Sequence, residues 1–177
     1  MRHAQAIPRH RGPQRQVFVI GVRFCLYAAL LLSLVLPMTA QTSTEGAAKM
    51  VSLMQANNYN FITTKSPTVW VIHFTGTHLQ DIKVVLALDV SNNSMVIFVT
   101  VVEKRRMPVT TDFLHLLLKQ NHEYDRVKVG LDADDDLSVR IDAPLRIDDA
   151  QEFHDIVTQI KNASDEIYGK IEPQLLP

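Results

Sequence analysis

The sequence has little of what thiol, phosphate or nucleophilic chemistry requires. Of its 177 residues, one is cysteine, Cys25, and six are glycine. A single cysteine excludes an internal disulfide, and glycines this widely spaced exclude a glycine-rich phosphate loop. No Gly-x-Ser-x-Gly motif is present either, so the nucleophile elbow of a hydrolase is missing. The sequence therefore predicts a domain that is not an enzyme and holds no cofactor or metal.

Acidic residues are absent before Glu45, whereas five arginines precede position 24. When these five are taken from the 18 basic residues, 13 remain against 19 acidic ones, so the rest of the chain carries about −6. A surface of that sign repels a phosphate backbone. The charge therefore argues against a nucleic-acid partner.

An uncharged run of 15 residues, Phe24–Met38, follows the arginines and precedes a polar stretch. This order is typical of a secretory signal. A membrane span needs about 20 apolar residues, and residues 17–38 reach that length if Arg23 extends toward the interface. Three alternatives stay open: a signal cleaved after Ala40, despite the bulky Met38 at −3; a retained anchor at residues 17–38; or a buried core helix. The first two predict export to the periplasm or secretion, with membrane contact only through this segment.

The segment at residues 1–40 and a polar linker at 41–46 are followed by one predicted domain, residues 47–172. Its hydrophobic periodicity predicts a helix, four strands, a helix, a two-stranded hairpin and a long helix that Pro173 ends. The predicted ranges of the first five elements are 47–56, 60–64, 68–75, 82–90 and 95–103. The fold class is α+β: an antiparallel sheet with helices packed on one face.

Two features exceed what one core needs. The second helix, capped by Thr110 or Thr111, is expected to bury an unusually wide apolar face comprising Phe113, Leu114, Leu116, Leu117 and Leu118. Trp70 lies in a strand that is apolar on both faces. Ordinary core packing is the favoured interpretation of both, and the alternative is an apolar surface for dimerisation or partner binding. On that alternative, Trp70, Phe113 and Leu117 are the candidate surface residues.

Two polar clusters invite a metal hypothesis. The aspartates of Asp132–Asp136 resemble the start of an EF-hand loop, but Leu137 stands where its glycine should be and Ala143 where its bidentate glutamate should be. A solvated hairpin turn is the favoured interpretation. His73 and His78 flank a glycine, but no further zinc ligands follow at recognisable spacing.

The order of elements resembles the YbjN family, which is classed with bacterial sensory-transduction regulators and has a fold similar to type III secretion chaperones. The resemblance covers residues 44–171, and the segments that carry it are Leu53–Tyr59, Val69–Ile72, Val96–Val101, Phe113–Gln120, Val127–Leu131 and Phe153–Tyr168. It implies no enzyme activity, a homodimer and binding of a polypeptide segment, and it carries over no individual functional residue. Secretion chaperones of this fold act in the cytoplasm, whereas this chain has an export-type leader.

Two hypotheses follow from the sequence. The leading one is an exported, non-enzymatic, chaperone-like domain that regulates through a protein partner and forms a homodimer. It would bind the partner by burying an extended segment or a helix against the sheet edge and an apolar patch. The alternative is an envelope protein that binds a small ligand or a metal, with hydrolysis as an option, at a site built from His73, His78 and acidic neighbours.

Overall fold

The computed structural model describes residues 44–177. The chain divides into two units, Met1–Gln41 and Thr42–Pro177, and every described residue belongs to the second. The predicted leader and Cys25 therefore lie outside the described residues. Residues 44–46, predicted as linker, are already helical.

Three helices and six strands form the described part of the chain. The first helix, α1, includes residues 44–56. The other elements are, in chain order, β1 Phe61–Thr63, β2 Val69–Phe74, β3 Ile82–Asp89, β4 Ser94–Val102, α2 Thr111–Glu123, β5 Lys128–Leu131, β6 Leu137–Pro144 and α3 Ala150–Ile171. Short 3₁₀ turns occur at Lys104–Arg106 and Glu172–Gln174. The predicted order of elements and the α+β class are confirmed.

The six strands form one sheet in the order β1-β2-β3-β4-β6-β5, and every neighbouring pair is antiparallel. β4 lies between β3 and β6, as its apolar sequence predicts. The chain crosses from β4 through α2 to the far edge, and β6 then returns between β4 and β5. One consequence is that β1 and β5 are the two edge strands.

One face of the sheet is buried because alternate residues on each strand point toward the helices. On β3 this row is Ile82, Val84 and Leu86, and α3 packs against β3, β4 and β6. The long final helix predicted from the hydrophobic period is α3, and its apolar stripe is buried; the stripe consists of Phe153, Ile156, Val157, Ile160, Ile167 and Ile171. The core also encloses Met50, Met54 and Met95, whereas Met107 is half-buried against it.

Helix ends follow the local sequence. The Thr110 hydroxyl accepts a hydrogen bond from the Phe113 backbone N–H at 3.2 Å, which makes Thr110 the N-cap of α2. Asp149, rather than Asp148, caps α3, because its carboxylate accepts from the Gln151 backbone N–H at 2.9 Å.

The apolar face of α2 is narrower than predicted. Phe113 and Leu117 are buried, but Leu114 and Leu118 are 49% and 67% exposed. The reason is the position of α2, which contacts the four-residue edge strand β5 and only the flank of α3. Two side chains of α2 therefore extend beyond the sheet that was expected to cover them.

Among residues 44–177, no helix combines the length and the apolar character that crossing a bilayer requires.

Candidate functional site

The residues expected at a partner surface lie in the core. Trp70 and Phe113 are each 1% exposed and Leu117 is 8% exposed. Trp70 belongs to the inward row of β2, and the first turn of α2 directs Phe113 into the same core. The expectation that these three side chains form an exposed patch is therefore wrong. Ordinary core packing explains them.

A different apolar surface lies beside them, between α2 and β5. Its rim is formed by Leu114, Leu118 and Leu131, of which Leu131 is 57% exposed. The rim surrounds a cavity of about 260 Å³ whose lining also includes Leu117, Val129 and Leu137. Together these six residues form the α2–β5 groove. Because Leu114 and Leu118 are one helical turn apart, they form a continuous apolar ridge along it.

Asn121 occupies the outer edge of β5 beside the groove. Its Nδ2 donates to the Val129 carbonyl at 3.1 Å, and its Oδ1 accepts from the Val129 N–H at 2.7 Å. A carboxamide carries one donor side and one acceptor, as a peptide group does. Asn121 therefore supplies Val129 with the two hydrogen bonds that a neighbouring strand would otherwise provide.

A polar network fixes α2 to α3 behind the groove. Lys170 of α3 donates to Gln120 Oε1 at 2.8 Å and to Glu123 Oε2 at 2.6 Å, and its ammonium lies 5.3 Å from the Tyr124 ring centroid. The hydrogen bond to Glu123 raises the pKa of Lys170; partial burial lowers it by less. Gln120 is buried and also donates to the Leu116 carbonyl. The charged state of Lys170 is thus favoured, and α2 is held in place.

The face of the sheet opposite the helices carries a second apolar surface. Val71, Val85 and Phe98 lie side by side on β2, β3 and β4. Val69, Ala87 and Val96 form a second row next to them on the same strands. Together the two rows form the open-face patch, which consists of the half-buried residues Val69, Val71, Val85, Ala87, Val96 and Phe98. This patch explains why β2 is apolar on both faces, because its outward residues Val69 and Val71 belong to the patch.

Charged residues border the open-face patch on β5 and β6. Asp142 accepts from Lys128 at 2.8 Å and from Arg140 at 2.7 Å, and Arg140 pairs with Phe98 across β4 and β6. Partial burial tends to raise the pKa of Asp142, but the hydrogen bonds from both cations outweigh it and the pKa is lowered. An apolar centre with a charged border is the usual anatomy of a protein interface.

The Asp132–Asp136 segment forms the β5–β6 turn. Asp132 Oδ1 accepts from the backbone N–H groups of Asp134 and Asp136, and Asp136 Oδ1 accepts from the Lys104 N–H at 2.8 Å. Asp135 has a positive φ of 64°, which a tight turn requires. The carboxylates of Asp132 and Asp136 are therefore engaged by backbone N–H groups at the turn, as the hairpin interpretation predicts.

The two histidines of the alternative site, His73 and His78, have separate partners. His73 Nδ1 lies 3.0 Å from Asp81 Oδ1 on an exposed surface. The His78 ring packs against Gly169 of α3, where an added Cβ would lie 2.6 Å from the ring Cγ. Within residues 44–177, no group of three or more potential metal ligands comes together. The alternative hypothesis of a small-ligand or metal site gains no geometric support there.

Comparisons of sequence identify no relative. No protein-family model matches the chain, and no curated protein does. Solved structures do match. One is the crystal structure of YbjN from E. coli, with a TM-score of 0.53 and 16% identity over 72% of this chain and 93% of that chain. Another is the heterodimeric ExoU–SpcU complex from the type III secretion system of Pseudomonas aeruginosa, with a TM-score of 0.47 and 15% identity over 71% and 95%.

The chain has a YbjN-like fold. The resemblance stated from the sequence is thereby confirmed for the architecture, an antiparallel six-stranded sheet with three helices. An identity of 16% carries the fold and nothing about activity. The two apolar surfaces, and not the sequence identity, therefore bear on function.

Sequence reasoning missed the residues that distinguish the α2–β5 groove. Leu114 and Leu118 were assigned to the core, and Asn121 was not singled out. A signal existed, since helix α2 has more leucines than one buried stripe accommodates. Which of them remain exposed depends on the length of β5, and the sequence pattern does not give that length.

Proposed function

We propose that this chain is a non-enzymatic, chaperone-like domain that binds a protein partner outside the cytoplasm and regulates through that partner. The observation that carries the proposal is the α2–β5 groove, where Leu114, Leu118 and Leu131 stay exposed around an apolar cavity at a sheet edge. Contiguous exposed apolar surface of this kind marks interaction sites. Covering the rim with a partner would contribute about 1–2 kcal/mol per leucine.

The binding role is tested by a photo-crosslinking amino acid placed in the full chain in living cells. A crosslinker at Leu118 is expected to capture a discrete protein. Leu176 is the matched control, because it is also an exposed leucine, 45% accessible, but lies outside the groove. Equal capture from both positions, or from neither, would contradict the proposal.

Export is supported by the five leading arginines and the uncharged Phe24–Met38 run. Cell fractionation combined with mass spectrometry of the mature N-terminus tests it. The expected result is a chain in the envelope or the medium, either cleaved after Ala40 or retained by residues 17–38. Full-length chain found in the cytosol would contradict it.

A homodimer is proposed through the open-face patch. Two such faces can stack about 10 Å apart, as paired sheets do, and a twofold axis lets one patch serve both copies. The groove at the β5 edge stays accessible in this arrangement, because its rim lies on the helix side of the sheet. Each copy can then hold one partner.

Light scattering of the full chain after size exclusion tests the dimer. Wild-type protein is expected at twice the chain mass, and Phe98→Lys at one chain mass, because a buried ammonium without a partner opposes the interface. Leu118→Ser is the control and is expected to stay dimeric. A monomeric wild type, or dissociation caused by Leu118→Ser instead, would overturn this assignment.

A further inference from the structure

β5 is the edge strand of the sheet that lies next to the α2–β5 groove. β5 pairs with β6 on its inner side, and it is the last strand in the sheet order. Edge strands present backbone N–H and C=O groups on which another chain can form hydrogen bonds. Whether this edge is open depends on what those groups already bind.

The backbone groups of Val129 point outward, because both are bonded to the Asn121 side chain. In an antiparallel ladder the direction of these groups alternates, so Leu131, two residues on, directs its N–H and C=O to the same side. No side chain within residues 44–177 makes a hydrogen bond to them. The edge thus has one position occupied by a carboxamide and one that a peptide could use.

The groove lies where the side chains of an added strand would project. Residues on the helix side of such a strand would meet Leu114 and Leu118 beside the cavity of about 260 Å³. Residues on the opposite side would meet Lys128 and Gly130, and no atom lies within 4 Å of a Cβ built at Gly130. The two sides therefore suit apolar and polar residues in alternation.

We infer that the β5 edge is a strand-addition site for an extended partner segment with apolar residues at alternate positions, and that the Asn121 carboxamide is a displaceable substitute for one of its peptide groups. The inference rests on the proposed protein-binding function and specifies its mode. Main-chain bonds to Val129 and Leu131 provide affinity, and the groove selects the side chains. A helix seated in the groove would leave the outward groups of Leu131 without a protein partner, whereas a strand bonds them.

The probe is a fluorescein-labelled peptide with the sequence of Leu137–Pro144. This strand already pairs with β5, and its Leu137, Val139 and Ile141 alternate with polar residues. Binding to the full chain is measured by fluorescence anisotropy, and hydrogen exchange of the Leu131 amide reports where the peptide lies. A peptide with proline in place of Val139 is the control, because it lacks one ladder donor.

Three variants of the full chain separate strand addition from other modes. Asn121→Ala removes the competing carboxamide, so the peptide no longer has to displace it from Val129. The free protein loses about one net hydrogen bond, and we therefore expect the peptide to bind about tenfold more tightly. Leu131→Pro removes an outward N–H and should abolish binding. Leu118→Ser should weaken it by removing part of the groove. Circular dichroism and thermal melting verify that each variant is folded.

The inference is overturned if Asn121→Ala binds no more tightly than wild type, or if neither binds the peptide. It is also overturned if the Leu131 amide gains no protection. Should Leu131→Pro fail to fold, the Asn121→Ala comparison and the proline-containing peptide decide alone. Binding that depends on Leu118 but not on Asn121 indicates a helix in the groove. The strand-addition inference is then wrong, but the proposed protein-binding function stands. Capture at Leu118 no different from that at Leu176 refutes that function itself.

Discussion

Replacing Asp165 tests how the β2–β3 loop is fixed to α3. Its Oδ1 accepts from the backbone N–H groups of His78 and Leu79 at 2.8 Å each, and its Oδ2 accepts from that of Thr77 at 2.9 Å. Asp165→Ala removes the acceptor of all three donors. Hydrogen bonds to a charged group contribute about 1.5–3 kcal/mol each when buried, and much less where water can replace the carboxylate. Because this loop is exposed, we expect a total loss of about 2 kcal/mol.

Urea unfolding followed by circular dichroism measures that loss, and a fall of roughly 6–10 °C in Tm should accompany it. Asp155→Ala is the matched control. It lies on the same helix, but within residues 44–177 its side chain accepts only from the Gln151 side chain, at 2.8 Å. We expect it to change stability by less than about 0.5 kcal/mol. Equal costs for the two variants would refute the account of the loop.

The same carboxylate gives the stability a pH dependence of known sign. Partial burial tends to raise the pKa of Asp165, but the three backbone donors and the nearby His78 outweigh it, so the pKa is lowered. A lowered folded-state pKa contributes stability that is present above the unfolded value of about 3.9 and is lost as the pH falls through the folded value. The difference between wild type and Asp165→Asn should therefore shrink below about pH 4. A difference that stays constant to pH 2 would refute the electrostatic part of the argument.

Three further predictions concern the fold. Gly76→Ala should destabilise by about 1–3 kcal/mol in urea unfolding, because its Cβ would overlap the Asp165 carboxylate and lie 2.8 Å from Ile82 Cδ1; an unchanged midpoint would contradict this. Trp70→Ala should cost about 3–5 kcal/mol as a core truncation, and a stable variant that had lost only partner binding would restore the surface interpretation. Thr110→Ala should cost about 1 kcal/mol through loss of the α2 N-cap, whereas Thr111→Ala, the neighbouring control, should cost less.

The sequence was sufficient to predict the secondary-structure elements and their order, because each element has its own hydrophobic period. Alternation along Ile82–Asp89 and the helical stripe from Phe153 to Ile171 are local signals, and both match the structure. Strand ends shifted by one residue; β2, for example, runs from Val69 to Phe74 instead of 68 to 75. Local patterns thus predicted most of the architecture.

The candidate surface could not be predicted in the same way because it depends on non-local pairing. That β6 lies between β4 and β5, and that β5 has only four residues, decides which leucines of α2 are covered. Trp70 was a candidate surface residue because both faces of its strand are apolar, and only pairing within the sheet shows that its side chain points inward. The two bonds between Asn121 and Val129 likewise join residues whose proximity no periodicity indicates.

The burial of the methionines has a consequence for chemical durability. Met50, Met54 and Met95 are at most 1% exposed, and residues 44–177 contain no cysteine. Peroxide attacks accessible thioethers and thiolates first, so within this range Met107, half-buried beside the core, is the side chain it would convert to sulfoxide most readily. Oxidation there would leave the sulfur atoms of the three core methionines intact for as long as the sheet and helices stay packed.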